Sequence, residues 1–212
     1  MTPERTIGRL SLYRRLLKDL LASGQRSVYS HQLAAKAGVT AAQVRRDVMC
    51  IGSSGSPNKG YDIRGLIAAI EGFLDGEGAE GVALVGIGNL GRAILAFFRG
   101  RRPKLSVVAA FDRDEELVHR VIHGVRCYPM DELDDVVAAE DIRVGIIAVP
   151  ASSAQAVADR LVAAGVGGIV NFAPTPLHTP PGVYVEDIDM TMSLEKVAYF
   201  ARANAPLPSS QR

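Results

Sequence analysis

The chain has 212 residues, of which 48% are hydrophobic and 22% charged; this ordinary globular composition excludes a disordered protein and has room for one large or two modest domains. It has no run of 18 apolar residues and no signal-peptide pattern, so we expect no membrane span and a cytoplasmic protein whose two cysteines are reduced thiols. Residues 1–75 carry 11 Lys and Arg against 6 Asp and Glu, whereas the remainder carries 13 against 17, so only the front of the chain suits a polyanion.

Hydrophobic spacing and turn residues predict a small helical module at the front of the chain. Apolar residues recur at three- and four-residue spacing up to Gly24, which is typical of an amphipathic helix. Ser30 and Thr40 are the predicted N-caps of the next two helices, and Gln43 completes a capping box with Thr40. The predicted elements are helices at 4–23, 31–37, from Thr40 and at 65–75, a hairpin tip at 52–60, a returning strand at 61–63 and a linker at 76–78.

The bend between the second and third helices has the spacing of a helix-turn-helix. Ala34 allows the helices to approach, Gly38 turns the chain, and Val44 locks the third helix against the second. If Val44, Val48 and Ile51 face inward, then Gln43, Arg45 and Arg46 lie on the outward side, where such side chains read base edges. The hairpin then forms a wing, with Lys59 near its tip to reach a phosphate or the minor groove. The alternative is a helical subdomain for protein contacts with solvated arginines.

Strands alternate with helices in the rest of the chain, which predicts a parallel sheet with crossover helices. The predicted strands are 81–87, 105–112, 144–150 and 167–172, and the predicted helices are 90–99, 114–121, 152–164 and 193–203.

A G-x-G-x-x-G motif follows the first of these strands and opens a helix. Its residues are Gly86, Ile87, Gly88, Asn89, Leu90 and Gly91. The glycines permit the tight turn, the approach of a pyrophosphate and close packing of helix and strand. Asp112 ends the second strand, where an acid would bind the adenine ribose and repel a 2′-phosphate; Arg113 weakens this preference for NAD(H) over NADP(H) only slightly. Asp112 could instead be an ordinary acid at a strand end.

The ends of the next two strands are candidates to line the nicotinamide half of the pocket, because ligands bind at the carboxyl ends of parallel strands. These residues are Val149, Pro150, Asn171, Phe172 and Ala173. The two prolines that follow these strands, Pro150 and Pro174, could simply end them.

The sequence favours binding without catalysis. No Tyr-x-x-x-Lys motif occurs, and no histidine adjoins a strand end with a carboxylate partner. His119 and His123 are four residues apart, a spacing that would allow both to bind zinc if they lay on one helix, but they lack a third ligand, so we predict no metal site. Two alternatives remain, a small NAD-dependent oxidoreductase with an accessory helical domain and a CoA- or nucleotide-binding accessory protein.

The order of these motifs resembles that of the Rex redox-sensing transcriptional repressors of bacteria. Its most specific segments are 43–47, 60–61, 86–91 and 171–174. The resemblance implies a winged-helix domain at 1–78, a Rossmann NAD(H) domain at 79–190 and a C-terminal helix and tail at 191–212. It also implies that the final helix swaps into the partner of a homodimer, and that a palindromic operator is bound in the apo or NAD+ state and released by NADH.

The same resemblance extends the candidate sites and shows where this chain departs from the family. It adds Ser53 and Tyr61 to the DNA-binding residues, and it pairs Arg15 with Asp189 in the NAD+ form. Phe97 stands where the family often has Tyr, and Met190 where it often has an aromatic residue near the nicotinamide. The wing tip, residues 56–59, also differs from the usual glycine-rich segment, which leaves the operator preference open.

Overall fold

The structure, a computed structural model, describes residues 2–56, 58–76, 78–100 and 104–203. The chain forms two compact units, Met1–Gly78 and Ala79–Arg212. Three sequence predictions extend outside the described residues: the wing tip at Pro57, the linker at Glu77 and the C-terminal segment at 204–212.

The first unit is a winged helix-turn-helix, as predicted. Its elements are α1 (Glu4–Ala22), β1 (Ser27–Val28), α2 (Ser30–Ala37), α3 (Ala41–Cys50), β2 (Tyr61–Asp62) and α4 (Ile63–Leu74). The apolar stripe of α1 packs into the core, where Leu10, Tyr13 and Leu17 are fully buried. Gly38 ends α2 in the left-handed region at φ +66°. Val44 and Val48, on the inner side of α3, are buried in the same core.

Two helix starts differ in detail from the prediction. The N-cap of α2 is Tyr29 rather than Ser30, because the side chain of Gln32 accepts a hydrogen bond from the Tyr29 backbone N–H at 2.9 Å. Thr40 caps α3 as expected, its hydroxyl accepting from the Gln43 N–H at 3.1 Å. The Gln43 side chain does not complete the box, since it binds residues further along α3 instead.

The wing is also built differently from a simple hairpin. The predicted returning strand ends at Asp62, and it pairs antiparallel with β1 through Val28↔Tyr61 and Ser27↔Asp62, while Ile63 already begins α4. Ser56 and Gly60 close the tip with a pair of backbone hydrogen bonds. The Tyr29 hydroxyl donates to the Asn58 carbonyl at 2.8 Å and ties the tip to the start of α2.

The second unit is a mostly parallel sheet with helices on both faces, as predicted. Its elements are β3 (Glu80–Val85), α5 (Asn89–Phe98), β4 (Leu105–Asp112), β5 (Val121–Ile122), β6 (Val125–Pro129), α6 (Leu133–Ala139), β7 (Val144–Ile147), α7 (Ala151–Ala163), β8 (Gly168–Asn171), β9 (Tyr184–Asp187) and α8 (Met190–Ala203). The strand order is β5-β6-β4-β3-β7-β8-β9. Side chains of β3 alternate between two cores, Val82 and Leu84 on one face and Ala83 and Val85 on the other.

The predicted helix at 114–121 is wrong. The backbone turns after Asp114 and forms an antiparallel hairpin, in which Val121 and Ile122 pair with Arg126 and Val125. His119 and His123 adopt positive φ values of 65° and 51°, which no helix permits, so their supposed spacing on one helix face does not exist.

The carboxyl ends of six parallel strands, β3, β4, β6, β7, β8 and β9, lie at one edge of the sheet. Strands β4 and β7 flank β3 on opposite sides, so the strand order reverses between β3 and β7. In such sheets the ligand crevice opens at this reversal, beyond the carboxyl ends of the strands. Among the described residues, no helix combines the length and apolar character that crossing a bilayer requires.

Candidate functional site

The glycine-rich turn connects β3 to α5, and each glycine has its own geometric reason. Gly86 has φ +97°, and a Cβ there would lie 2.6 Å from the Ala148 carbonyl oxygen. A Cβ on Gly91 would overlap the carbonyl oxygen of Gly86, so helix and turn can only approach this closely without a side chain. A Cβ on Gly88 would meet nothing within 4 Å. The space over Gly88, at the N-terminus of α5, therefore fits a pyrophosphate against free backbone N–H groups.

Asp112 joins the end of β4 to this turn. One carboxylate oxygen accepts a hydrogen bond from the Ile87 N–H at 2.5 Å, and the other accepts from the N–H groups of Arg113 and Asp114 at 2.7 and 3.0 Å. A carboxylate has about four acceptor positions, so Asp112 keeps capacity for a ribose hydroxyl. Arg113 is exposed, and its hydrogen bond to Asp112 comes from the backbone N–H rather than from the guanidinium.

Asn171 organises the ends of β8 and β9. It is 1% exposed, its amide donates to the Thr175 carbonyl and the Asp187 carboxylate at 2.8 Å each, and its oxygen accepts from the Ala173 N–H at 3.0 Å. The buried amide therefore shapes the turn that carries Phe172. Sequence reasoning missed Thr175 and Asp187, because it predicted no strand between the one at 167–172 and the final helix at 193–203.

Val149 and Phe172 lie at the same edge of the sheet as the glycine turn. Both are partly exposed, and Pro150 is exposed as the N-cap of α7. Backbone hydrogen bonds from Ala148 to Val85 and from Phe172 to Ile147 hold these strand ends side by side. Apolar side chains next to a phosphate-binding turn can contact the less polar half of a dinucleotide.

The outward face of α3 carries the predicted DNA-binding side chains. Arg45 and Arg46 are exposed, and Arg45 also donates to the Ser30 hydroxyl at 3.1 Å. Lys59 is exposed at the wing, while the backbone N–H of Ser53 is bound to the Val48 carbonyl at the end of α3. Cations on one helix and on the adjoining wing form an arrangement that can bind the DNA backbone and reach base edges.

Tyr61 differs from the other predicted DNA-binding residues. Its side chain is 7% exposed and packs in the core of the winged helix, against the backbone of Gly55. Burial raises the pKa of the Tyr61 hydroxyl, against the opposing effect of Arg45. The structure thus gives Tyr61 a packing role beneath the wing, not an exposed position for contact with DNA.

A buried ionic network that the sequence did not reveal lies behind α3. Asp47 is 3% exposed and accepts hydrogen bonds from Arg9 at 2.7 and 2.8 Å, from the Tyr13 hydroxyl at 2.9 Å and from the Gln43 amide at 2.8 Å. Burial by itself raises the pKa of Asp47, but the hydrogen bonds from Arg9, Gln43 and Tyr13 outweigh it and leave the pKa below its ordinary value. Asp47 is therefore a carboxylate at neutral pH and fixes α3 to α1.

The predicted switch residues, Arg15, Phe97 and Asp189, and the predicted cofactor contact Met190 are exposed or partly exposed. Arg15 is exposed on α1, Phe97 is 55% exposed near the end of α5, and Met190 is 59% exposed at the start of α8. Asp189 precedes α8 and caps it, since its carboxylate accepts from the Met192 N–H at 2.8 Å. The pairing of Arg15 with Asp189 stays a prediction.

Groups suited to metal or thiol chemistry are sparse in the part of the chain that the structure describes. No three His, Cys, Asp or Glu side chains there cluster closely enough to hold a metal ion. Burial, followed by the charge of Asp112, raises the pKa of the Cys127 thiol to about 11, so this cysteine is a packing residue and not a nucleophile.

Two family models match the chain, one for each unit. The "CoA binding domain" model covers residues 78–175, and the "Putative DNA-binding protein N-terminus" model covers residues 2–48. The chain spans nearly the full length of its curated relatives. It is 40% identical to the redox-sensing transcriptional repressor Rex of Carboxydothermus hydrogenoformans over 94% of this chain and 96% of the relative, and 40% identical to that of Geobacillus kaustophilus over 98% and 96%.

Solved structures agree with the sequence relatives. The crystal structure of RSP in complex with β-NAD+ and operator DNA matches 96% of this chain and 94% of that chain, with a TM-score of 0.88 and 31% identity. RSP in complex with β-NADH matches with a TM-score of 0.84, 30% identity and coverage of 96% and 95%. The chain belongs to the Rex family of redox-sensing transcriptional repressors.

Proposed function

We propose that this protein is a redox-sensing transcriptional repressor that binds operator DNA as a homodimer and releases it when NADH binds. The main observation behind the proposal is that one chain has two candidate binding sites. One is a winged helix with exposed arginines, and the other is a glycine-rich turn that is hydrogen-bonded to Asp112. Relatives that this chain matches over nearly their full length are redox-sensing transcriptional repressors.

The ligand is NAD(H) rather than CoA, although the matching family model is named for CoA. The carboxylate of Asp112 stands where the adenine ribose would lie and would repel a phosphate on that sugar, which CoA and NADP(H) both carry. The open space over Gly88 suits the pyrophosphate, and the strand-end residues Val149, Pro150 and Phe172 to Ala173 suit the nicotinamide half.

The apolar surface of α8 supports a homodimer in which this helix packs against a partner subunit. Met190, Leu194 and Val197 recur at spacings of four and three, which places them on one helix face, and all three are exposed by 59–70%. Burying this stripe would stabilise a dimer, and a two-fold dimer of winged helices reads a palindromic operator. The resemblance to the family suggests that α8 swaps into the partner.

Coupling between the sites follows from the charge of the nicotinamide ring, which is positive in NAD+ and neutral in NADH. The family resemblance implies that Asp189 pairs with Arg15 in the NAD+ state. The Asp189 carboxylate would stabilise the surroundings of the oxidised ring, whereas apolar contacts such as Met190 would favour the reduced ring. A few kcal/mol of differential affinity between two conformations is enough to move the DNA equilibrium. The protein is thus a cytoplasmic sensor that binds the dinucleotide without chemical conversion.

Fluorescence polarisation with labelled operator DNA tests this function. The operator is first selected from a randomised double-stranded library by the apo protein. Binding should persist in NAD+ and be lost in NADH, and the Asp112→Ala variant should bind the same DNA but need much more NADH for release. Equal binding in NADH and NAD+ would contradict the proposal. Oxidation of NADH with any of a panel of carbonyl substrates would instead support an oxidoreductase.

A further inference from the structure

The recognition helix α3 is held from behind by a chain of hydrogen bonds that reaches its outer face. Arg9 and Tyr13 on α1 bind the buried carboxylate of Asp47. Oδ1 of Asp47 accepts from the Gln43 amide nitrogen at 2.8 Å, and the Gln43 amide oxygen accepts from Nη2 of Arg46 at 2.8 Å. The core of the winged helix is therefore linked through two side chains to an exposed guanidinium.

The orientation of the Gln43 amide follows from the chemistry of its two partners. A carboxylate without a proton can only accept, so the atom of Gln43 that faces Asp47 must be the NH2 group. A guanidinium can only donate, so the atom that faces Arg46 must be the oxygen. Both constraints select the same orientation, and the depressed pKa of Asp47 keeps the carboxylate ionised at neutral pH.

This arrangement changes the role of Gln43. To read adenine, an amide must present its oxygen and one N–H together to the base. Here Arg46 already occupies the oxygen and Asp47 one of the two N–H donors, and both partners are charged, which strengthens these hydrogen bonds. Reading adenine would require Gln43 to leave them.

We infer that Asp47 is a positioning residue that sets DNA specificity. Asp47 orients Gln43, and Gln43 in turn orients Arg46 towards one base pair instead of reading a base of its own. A guanidinium that is already oriented by a hydrogen bond loses less conformational entropy when it forms the bidentate pair with guanine. The inference rests on the proposed DNA-binding function, and it specifies which side chain of α3 contacts a base and which ones only position it.

The inference is tested by finding which base pair of the operator each variant no longer discriminates. With the operator selected by the wild-type protein, each base pair of one half-site is substituted in turn and affinities are measured for wild type and variants. Arg46→Ala should lose discrimination at one base pair, by about tenfold. Gln43→Leu should lose discrimination at that same base pair and at no other. The double variant Gln43→Leu/Arg46→Ala should lose no more discrimination than Arg46→Ala alone. Lys59→Ala is the control, which should weaken all sequences alike.

Exchanging the amide and the carboxylate gives a second test. Asp47→Asn replaces one accepting oxygen with an NH2 group, so the side chain can no longer accept from Arg9, Tyr13 and Gln43 together; Gln43 loses its fixed orientation and discrimination at the Arg46 base pair falls. In the double variant D47N/Q43E, the amide introduced on the inner side donates to the carboxylate introduced in place of Gln43. That carboxylate again accepts from Arg46, so most of the discrimination should return. Thermal melts check that each variant is folded. If Asp47→Asn does not fold, the half-site measurements on Gln43→Leu decide the question.

The outcomes separate the inference from the proposed function. Loss at a different base pair in Gln43→Leu, or a new cytosine preference without rescue in D47N/Q43E, would show that Gln43 reads its own base and would overturn the inference while leaving the repressor function intact. Failure of the wild-type protein to select any sequence from the library would overturn both.

Discussion

The carboxylate of Asp112 accepts a hydrogen bond of 2.5 Å from the backbone N–H of Ile87, so the acid at the end of β4 is fastened to the middle of the glycine-rich turn. The side chain is thereby held at the mouth of the turn before any ligand arrives. A pre-oriented carboxylate can accept from a ribose hydroxyl without first losing side-chain freedom.

Replacing Asp112 with Ala should weaken NADH binding by roughly ten- to a hundredfold, the value of a charge-assisted hydrogen bond, and should narrow the preference for NADH over NADPH. Isothermal titration with both dinucleotides measures this. Asp114→Ala is the matched control, because its exposed carboxylate accepts only from the Glu116 N–H within its own turn. An unchanged NADH affinity in Asp112→Ala would show that the ribose lies elsewhere.

Two glycine substitutions should separate folding from binding. In Gly91→Ala the new Cβ collides with the Gly86 carbonyl oxygen, so the free energy of unfolding should fall by about 1–3 kcal/mol. In Gly88→Ala the Cβ enters open space, so stability should stay near wild type while NADH binding is lost. Urea unfolding and NADH titration test the pair. Wild-type NADH affinity in Gly88→Ala would place the pyrophosphate away from this turn.

The Asp47 network should give the winged helix an acid-sensitive component of stability. Because the pKa of Asp47 is lower in the folded than in the unfolded chain, its contribution is complete above about pH 4 and is lost as the pH falls through the folded pKa. Asp47→Asn should lower the free energy of unfolding at neutral pH by about 1–3 kcal/mol and flatten its decline in acid. Urea unfolding across this pH range checks it, with the exposed Asp19→Asn as control. Equal acid sensitivity in wild type and Asp47→Asn would argue against the network.

The apolar stripe of α8 should control assembly. Leu194→Asp places a charge at the centre of the exposed stripe, so the protein should become monomeric and lose its affinity for a palindromic operator. Light scattering with size-exclusion chromatography measures the mass. Glu195→Gln, a neutral change outside the stripe on the same helix, should remain dimeric. A dimeric Leu194→Asp variant would move the interface away from α8.

The sequence predicted the features that depend on local backbone constraints. The spacing of Gly86, Gly88 and Gly91 fixes a turn between strand and helix whatever the rest of the chain does, and Asp112 follows because the second strand must end beside that turn. In the same way, the spacing of Ala34, Gly38 and Val44 predicted the helix-turn-helix.

What the sequence did not predict depends on tertiary contacts or on weak local patterns. The strand at Val121 has only two residues and lies at the sheet edge. The turn at Asp114, whose carboxylate accepts from the N–H of Glu116, resembles the start of a helix. In the sequence, Asp47 looks like an ordinary acidic residue on a helix, because its partner Arg9 is 38 residues away and only folding brings the two together.

The central claim is that the dinucleotide and DNA sites are coupled, and a reciprocal titration tests it most directly. NADH affinity of the wild-type protein is measured alone, with saturating operator and with the same amount of scrambled duplex. Thermodynamic linkage requires operator to weaken NADH binding by the same factor by which NADH weakens operator binding, and scrambled DNA should have little effect. An NADH affinity that saturating operator leaves unchanged would contradict the account.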